Sequence, residues 1–345
     1  MQRILSREEA NLLRQLLGEA RNVVVLCHKN PDGDAIGSTA AMTLLLRGMG
    51  KRVTAIMPNP APDFLGWLPT ADEILLGDRQ HLKVDNALQR ADLIVMLDFN
   101  TPSRMGELLE QKVMATEVPK MMIDHHLNPD APCQLIISHP EMCSTCEIIL
   151  RIMCDMGWHL HMTADEATAI YTGMMTDTGA FTYASNRPDI YEAISLLLTT
   201  GIDKDIIYRR VFFTHTEGRF RLLGYLLYEK MEVMPEIHTA LITMTNEERL
   251  RFKTKNGATE GFVNLPLEME GIKLSIFLRE DSEQKGLIRV STRSVDDFPC
   301  NEMCQDFFNG GGHKNASGGS LKMTIEEAIE VVREALRAYE ERLKV

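Results

Sequence analysis

The sequence lacks any apolar run near the length of about 18 residues that a membrane-spanning helix needs. Its first nine residues also lack the apolar core of a secretory signal peptide. Cysteine is sparse and odd in number, with seven in the chain, which for a protein without a signal peptide indicates reduced thiols. We therefore expect a cytoplasmic protein with no membrane partner and no disulfide framework.

The chain also has fewer basic than acidic residues. The 37 lysines and arginines face 49 aspartates and glutamates, which gives a formal net charge of −12. Because binding to long duplex nucleic acid depends on neutralising many phosphates with basic side chains, this balance argues against that function. The net negative charge is compatible with short anionic ligands that are held by a local group of basic side chains or by metal ions.

The first half of the chain alternates apolar strands with helical stretches, which predicts an α/β fold with a parallel sheet flanked by helices. Continuous apolar runs typical of buried strands occur at 22–27, 53–57, 92–97 and 120–123. A helix-rich stretch then extends from Thr145 to about Lys230.

The last third of the chain has a different pattern of strand-like and helical segments, which predicts a second, smaller α/β domain. Strand-like runs at 239–244, 272–278 and 287–292 surround a helical segment at 260–267, and a helix is expected over 324–343. We place a catalytic domain at 1–200, a helical linker at 201–234 and the smaller domain at 235–345.

A short polar turn follows the first predicted strand and precedes a helix. It carries His28, Asp32 and Asp34, with Gly33 allowing a sharp bend. Open α/β sheets bind ligands beyond the carboxyl ends of their strands, which is where this turn is expected. Taken alone, Asp-Gly-Asp is also ordinary turn chemistry.

Two further strands end in acidic or imidazole side chains. Asp98 follows the third predicted strand, and Asp124, His125 and His126 follow the fourth. Asp177 closes an apolar helix at a glycine-containing corner. A single acid after a strand is usually a helix cap, but three strand ends with Asp or His favour one shared site.

Such a site would need cations. Four carboxylates brought together, those of Asp32, Asp34, Asp98 and Asp177, would repel a phosphate unless their charge were offset. Two divalent cations would offset it, and carboxylates mixed with imidazole favour Mn²⁺, with Mg²⁺, Co²⁺ or catalytic Zn²⁺ as alternatives. Paired metals about 3.5–4 Å apart can share a hydroxide that attacks phosphorus. The sequence thus favours metal-dependent hydrolysis of a phosphoester or phosphoanhydride.

A glycine-rich segment in the second domain is the other candidate site. Gly310, Gly311 and Gly312 precede His313 and Lys314, and Arg293 stands at the end of a predicted strand. Backbone amides beside glycines can approach an anion closely, so we expect a loop that holds phosphate or nucleotide. A merely flexible loop is the alternative.

The C-x-x-C formed by Cys143 and Cys146 suggests a zinc or redox site at first sight. The residues between and after them, Ser144, Thr145 and Glu147, instead predict the capped start of a helix with buried thiols.

Together these motifs resemble the DHH phosphoesterase superfamily, and more closely its NrnA-type branch of nanoRNases and pAp phosphatases. The resemblance implies a DHH domain followed by a DHH-associated domain, with the active site in the cleft between them. It also implies Mn²⁺-dependent hydrolysis of nanoRNA of about two to five nucleotides to mononucleotides, and dephosphorylation of 3′-phosphoadenosine 5′-phosphate (pAp) to AMP.

The resemblance also assigns roles to residues. It implies that His28, Asp32 and Asp98 bind one cation. Asp98 would be shared with a second cation, whose remaining ligands would be Asp34, His125 and Asp177. His126 would face the scissile phosphate, and Asp124 would orient the histidines. The implied substrate-binding residues are Arg293, Gly310, Gly311, Gly312, His313 and Lys314. Asn309 departs from the family pattern, which often has a fourth glycine there.

Two other functions stay open at this point. A phosphodiesterase of pApA or cyclic dinucleotides would use the same metal chemistry, and a non-catalytic nucleotide-binding module belongs to a different class. The sequence also leaves open the native metal, RNA against DNA, the polarity of attack and the oligomeric state, a homodimer included.

Overall fold

The structure is a computed structural model that describes residues 2–254 and 257–344. It divides into two compact units, Met1–Thr214 and His215–Val345. The division falls inside the segment predicted as a helical linker, 201–234. Within the described residues, no helix is both long enough and apolar enough to cross a lipid bilayer.

The first unit is built on a parallel sheet with the strand order β3-β2-β1-β4-β5-β6. The strands are β1 Asn22–Leu26, β2 Arg52–Met57, β3 Leu75–Leu76, β4 Leu93–Leu97, β5 Lys120–Asp124 and β6 Leu135–Ser138. The predicted parallel sheet is confirmed. The short outer strands β3 and β6 were not predicted.

Helices cover both faces of this sheet. The helices of this unit are α1 Arg7–Glu19, α2 Gly33–Gly48, α3 His81–Arg90, α4 Glu107–Met114, α5 Thr145–Asp155, α6 Ala164–Asp177, α7 Pro188–Leu198 and α8 Lys204–Phe212, of which α6, α7 and α8 pack against other helices. Every residue of β4 and β5 is buried. Because these strands bury both of their faces, they have the continuous apolar sequences from which a parallel sheet was predicted.

The strand order decides where the polar strand ends meet. The chain passes from β1 to β2 on one side and later returns to place β4 on the other side of β1. Such a reversal opens a crevice at the carboxyl ends of the strands, where α/β proteins bind their ligands. Strands β1, β4 and β5 are neighbours, so the polar residues after each of them lie along one edge.

The second unit has a mixed sheet with the order β11-β12-β10-β9-β8-β7, in which β8 and β9 are parallel. Its strands are β7 Glu232–Met234, β8 Thr239–Met244, β9 Leu274–Glu280, β10 Leu287–Ser294, β11 Gly311–His313 and β12 Ala316–Lys322. Its helices are α9 Glu217–Tyr225, α10 Asn246–Arg251, α11 Cys300–Phe307 and α12 Ile325–Lys344.

The glycine-rich segment differs from its prediction as a loop, because it forms the hairpin of β11 and β12. Glycine is required for the close approach of these strands: a Cβ on Gly310 would lie 1.9 Å from the carbonyl oxygen of Gly318. Gly312 has a φ of 143°, which other residues rarely adopt. The helix predicted over 260–267 forms as the 3₁₀ turn Phe262–Glu268.

Candidate metal centre

One edge of the first unit collects the polar side chains that the sequence singled out. His28 lies just beyond β1, Asp98 lies just beyond β4, and His125 lies just beyond β5. Asp32 is the N-cap of α2, where its carboxylate accepts hydrogen bonds from the main-chain N–H groups of Asp34 and Ala35. Asp177 is the last residue of α6.

Two groups of possible metal ligands meet at Asp98. In the first group, His28 Nε2 lies 3.5 Å from Asp98 Oδ2 and 3.8 Å from Asp32 Oδ2. In the second, His125 Nε2 lies 3.2 Å from Asp177 Oδ2 and 3.6 Å from Asp98 Oδ1. Asp98 therefore turns one carboxylate oxygen towards each group.

The donor atoms are close enough to share an ion. The atoms of His28, Asp32 and Asp98 all lie within 4.8 Å of one another. The same limit holds for the atoms of Asp34, His125 and Asp177. The family resemblance implies the first group for one cation and the second group, with Asp98 added, for the other. A further overlapping group, Asp98, His125 and His126, lies within the same limit.

Asp98 has an unusual backbone conformation. Its φ is 66°, in the left-handed region, and its N–H donates to the carbonyl oxygen of Ile123 over 3.1 Å. Asp and Asn are the non-glycine residues that tolerate this region best. Asp98 is 1 % exposed, so its buried charge must be stabilised by hydrogen bonds or by opposite charges nearby.

His126 also pairs with Asp124. Nδ1 of His126 lies 2.7 Å from Oδ1 of Asp124, whose side chain is fully buried. The carboxylate accepts the Nδ1 proton, so a neutral His126 carries its lone pair on Nε2. Among the described residues, Oδ2 of Asp124 has no hydrogen-bond partner.

The carboxylates of this cluster resist ionising together. Burial raises the pKa of Asp34 well above its usual value, and the charges of Asp98 and Asp177 raise it further. Burial also raises the pKa of Asp177 to about 6, against the hydrogen bond from His125. The pKa of Asp98 is lowered instead: burial opposes this, but hydrogen bonding to His28 and the charges of nearby histidines outweigh it.

The pKa values of His28 and His125 are raised as well, which for a histidine favours the charged form. Burial lowers the pKa of His28, but hydrogen bonds and charges from Asp32 and Asp98 outweigh it and raise the pKa to about 12. For His125, burial is likewise outweighed, chiefly by Asp177 and Asp98, and the pKa rises to about 10. The site thus attracts positive charge strongly, and divalent cations would take the place of these protons.

The chemistry of the donor atoms fits Mn²⁺ or a similar divalent cation. The two groups offer four carboxylates and two imidazoles, a set that suits Mn²⁺ and Mg²⁺. Two cysteines lie nearby but are buried thiols: burial raises the pKa of Cys27 to about 12 and that of Cys146 well above its usual value. Thiolate ligands, which favour structural zinc, are therefore absent from these described groups.

The segment at the start of α5, predicted only as a helix cap, contacts two of these ligands. The Thr145 hydroxyl donates to Asp98 Oδ1 over 3.0 Å, and the N–H groups of Thr145 and Cys146 donate to the carboxylate of Asp34. The capped helix start was the one sign of this segment in the sequence. Ser144 is indeed the N-cap of α5 and accepts from the N–H of Glu147.

The predicted substrate-binding residues lie in the second unit, on or beside β10 and β11, the two strands that flank β12 in the sheet. Arg293 is on β10, and His313 is on β11. Gly310 precedes β11, and Lys314, in the turn to β12, forms an exposed ion pair with Asp297 over 2.7 Å. Their role stays a prediction.

Two family models match the chain. Residues 22–174 match the DHH family, N-terminal domain, and residues 238–343 match the DHHA1 domain. Each match lies within one of the two structural units.

Two curated relatives extend along nearly all of this chain. The bifunctional oligoribonuclease and PAP phosphatase NrnA of Thermus thermophilus is 28% identical over 333 residues, which cover 96% of this chain and 94% of the relative. The cyclic-di-AMP phosphodiesterase PdeA of Listeria monocytogenes is 27% identical over 98% of this chain, which matches only 50% of PdeA.

Two solved structures share the fold. An exopolyphosphatase-related protein from Bacteroides fragilis is 45% identical, with a TM-score of 0.96 and full coverage of both chains. RecJ from Thermus thermophilus in complex with Mn²⁺ is 16% identical, with a TM-score of 0.57 over 97% of this chain and 54% of RecJ. At that identity the RecJ likeness shows the fold alone.

Proposed function

From the premise that the chain belongs to the DHH family, we propose that it is a Mn²⁺-dependent phosphoesterase of short oligonucleotides. It would hydrolyse nanoRNA to mononucleotides and dephosphorylate pAp to AMP. The observation that carries this proposal is the meeting of two groups of acidic and imidazole side chains at Asp98.

The proposal assigns these side chains to two cations. His28, Asp32 and Asp98 would hold one, while Asp34, Asp98, His125 and Asp177 would hold the other. When bound, the cations would offset the charge of the carboxylates and of the phosphate and would activate a water molecule for attack on phosphorus. RecJ, which has this fold, was crystallised with Mn²⁺.

His126 would orient the phosphate or transfer a proton to it, and Asp124 would orient His126. With its Nδ1 proton held by Asp124, His126 can present Nε2 to a phosphate oxygen. Protonated there, the ring would stabilise the charge that develops during the reaction. The burial of Asp124 keeps this pair in one orientation.

The oligoribonuclease relative and the charge support short oligonucleotides as the first candidate. The bifunctional oligoribonuclease and PAP phosphatase is 28% identical over 96% of this chain. The net charge of −12 would discourage a long polymer. A phosphodiesterase of pApA or cyclic-di-AMP is the second candidate, favoured by the match to PdeA. The presence of every expected ligand argues against a non-catalytic module.

Product analysis tests the proposed function. 5′-labelled di- to pentanucleotides, pAp, pApA and cyclic-di-AMP would be incubated with the protein in Mn²⁺ or in chelator. We expect mononucleotides from the short oligonucleotides and AMP from pAp, in Mn²⁺ only. Exclusive turnover of cyclic-di-AMP would favour the second candidate, and full turnover in chelator would contradict both.

A substitution in the second unit tests the predicted substrate contacts. We expect His313→Ala to raise KM for pAp by about 10-fold or more, because a hydrogen bond to a charged phosphate is lost. Lys322→Ala, at an exposed position on β12, is the matched control and should leave KM unchanged. An unchanged KM in the His313 variant would exclude this contact.

A further inference from the structure

We propose that Thr145 is a positioning residue that sets the metal affinity of this centre through its hydrogen bonds to Asp98 and Asp34. The inference rests on the proposed function and assigns a role to a residue outside the predicted ligand set. It starts from the juxtaposition of one short segment, residues 142–146, with three predicted ligands.

The segment reaches ligands on three different elements. Oγ1 of Thr145 donates to Asp98 Oδ1 over 3.0 Å, while its N–H donates to Asp34 Oδ2 over 2.6 Å. The N–H of Cys146 donates to the other oxygen of Asp34 over 2.9 Å. The carbonyl oxygen of Met142 lies 3.4 Å from Nδ1 of His125.

The start of α5 therefore fixes the direction of Asp34. The first N–H groups of a helix lack partners within the helix and favour a negative charge. Here two of them take both oxygens of one fully buried carboxylate, which resists rotation as a result.

The Thr145 hydroxyl fixes the orientation of the Asp98 carboxylate. The carboxylate of Asp98 must turn Oδ1 towards His125 and Oδ2 towards His28 to serve both groups. Its backbone is already fixed by the left-handed conformation and by the bond to Ile123. The hydroxyl hydrogen bond to Oδ1 adds the missing restraint on the side-chain torsion.

Helix capping does not explain this hydroxyl. Ser144 is the N-cap of α5 and already supplies the side-chain oxygen that accepts from the N–H of Glu147. Thr145 is the first helical residue, a position where the cap needs no hydroxyl. Its side chain instead crosses to a residue 47 positions away in the sequence.

The segment is held rigidly by groups that do not touch the predicted ligands. Glu147 is fully buried and accepts from the N–H of Cys143 over 2.7 Å and from Nε of Arg151 over 2.8 Å. Nη1 of Arg187 donates to the carbonyl oxygen of Glu141 over 2.9 Å. Ligands that are oriented before the cation arrives lose less freedom when it binds.

Calorimetric titration with Mn²⁺ tests this inference on the full chain. Thr145→Val removes the hydroxyl at nearly constant volume, Thr145→Ser keeps it, and Thr239→Val is the matched control. Thr239 is equally buried, and its hydroxyl bonds a main-chain carbonyl in the second unit. We expect Thr145→Val to weaken Mn²⁺ binding by about 10–100-fold, and Thr145→Ser and Thr239→Val to bind as the wild type.

The outcomes separate the two proposals. Wild-type affinity in a folded Thr145→Val variant would overturn the positioning role and leave the proposed function standing. A wild-type protein that takes up no Mn²⁺ would overturn the proposed function itself. Thermal unfolding of the metal-free variants checks their folding, and Thr145→Ala replaces Thr145→Val if the valine variant does not fold.

Discussion

Replacing Asp98 with asparagine is expected to lower kcat/KM for pAp and dinucleotides by about 10³-fold or more. Asp98 presents one oxygen to each of the two ligand groups, so loss of its charge weakens both at once. Bound metals stabilise the transition state of such a reaction by several kcal/mol, and each 1.36 kcal/mol corresponds to about a tenfold change in rate. The measurement is steady-state kinetics in saturating Mn²⁺, with the bound metal counted in parallel.

Asparagine is the informative substitution because it keeps the shape of the side chain while removing its charge and one of its two acceptor oxygens. The left-handed φ of Asp98 would strain an alanine, whereas asparagine tolerates that region. Its side-chain oxygen can still accept from Thr145. Asp85→Asn, on α3, is the control and should keep full activity. A folded Asp98→Asn variant with wild-type kcat/KM would remove Asp98 from the mechanism.

The second large effect concerns stability. We expect Arg151→Met to lower the free energy of unfolding by about 3–5 kcal/mol, the usual result of removing one partner of a buried ion pair. Arg151 is 1 % exposed and lies 2.7 Å from Oε1 of the fully buried Glu147 and 2.5 Å from Oδ2 of Asp189. Methionine fills much of the volume of the arginine side chain. The loss in free energy of unfolding therefore measures the cost of leaving the charge of Glu147 without Arg151.

Urea unfolding of the metal-free protein measures this loss. Arg14→Met, on the exposed face of α1, is the matched control and should change stability by less than about 0.5 kcal/mol. A loss below about 1 kcal/mol for Arg151→Met would mean that Arg187, which also contacts Glu147, suffices to neutralise it.

The parallel sheet of the first unit could be predicted because its central strands are continuously apolar. Strands β4 and β5 are buried along their whole length, which the sequence shows as an unbroken apolar run in β4 and as the apolar residues 121–123 in β5. The outer strand β3, with two residues, carries no such signal. The hairpin of β11 and β12 was also missed, since its glycines are typical of loops.

The edge on which the candidate site lies was predictable for a related reason. Polar residues directly after buried strands must lie at the carboxyl edge of a parallel sheet, and the order of β1, β4 and β5 brings those ends together. Sequence alone could not show how the site is supported. The contact of Thr145 with Asp98 spans 47 residues, and the left-handed backbone of Asp98 leaves no pattern in its neighbours.

Anomalous diffraction at the manganese edge, from crystals grown with Mn²⁺, tests the central claim most directly. We predict two manganese peaks per chain, about 3.5–4 Å apart, on either side of the Asp98 carboxylate. Their protein ligands should be His28, Asp32 and Asp98 for one and Asp34, Asp98, His125 and Asp177 for the other. A single peak, or peaks away from these side chains, would contradict the account.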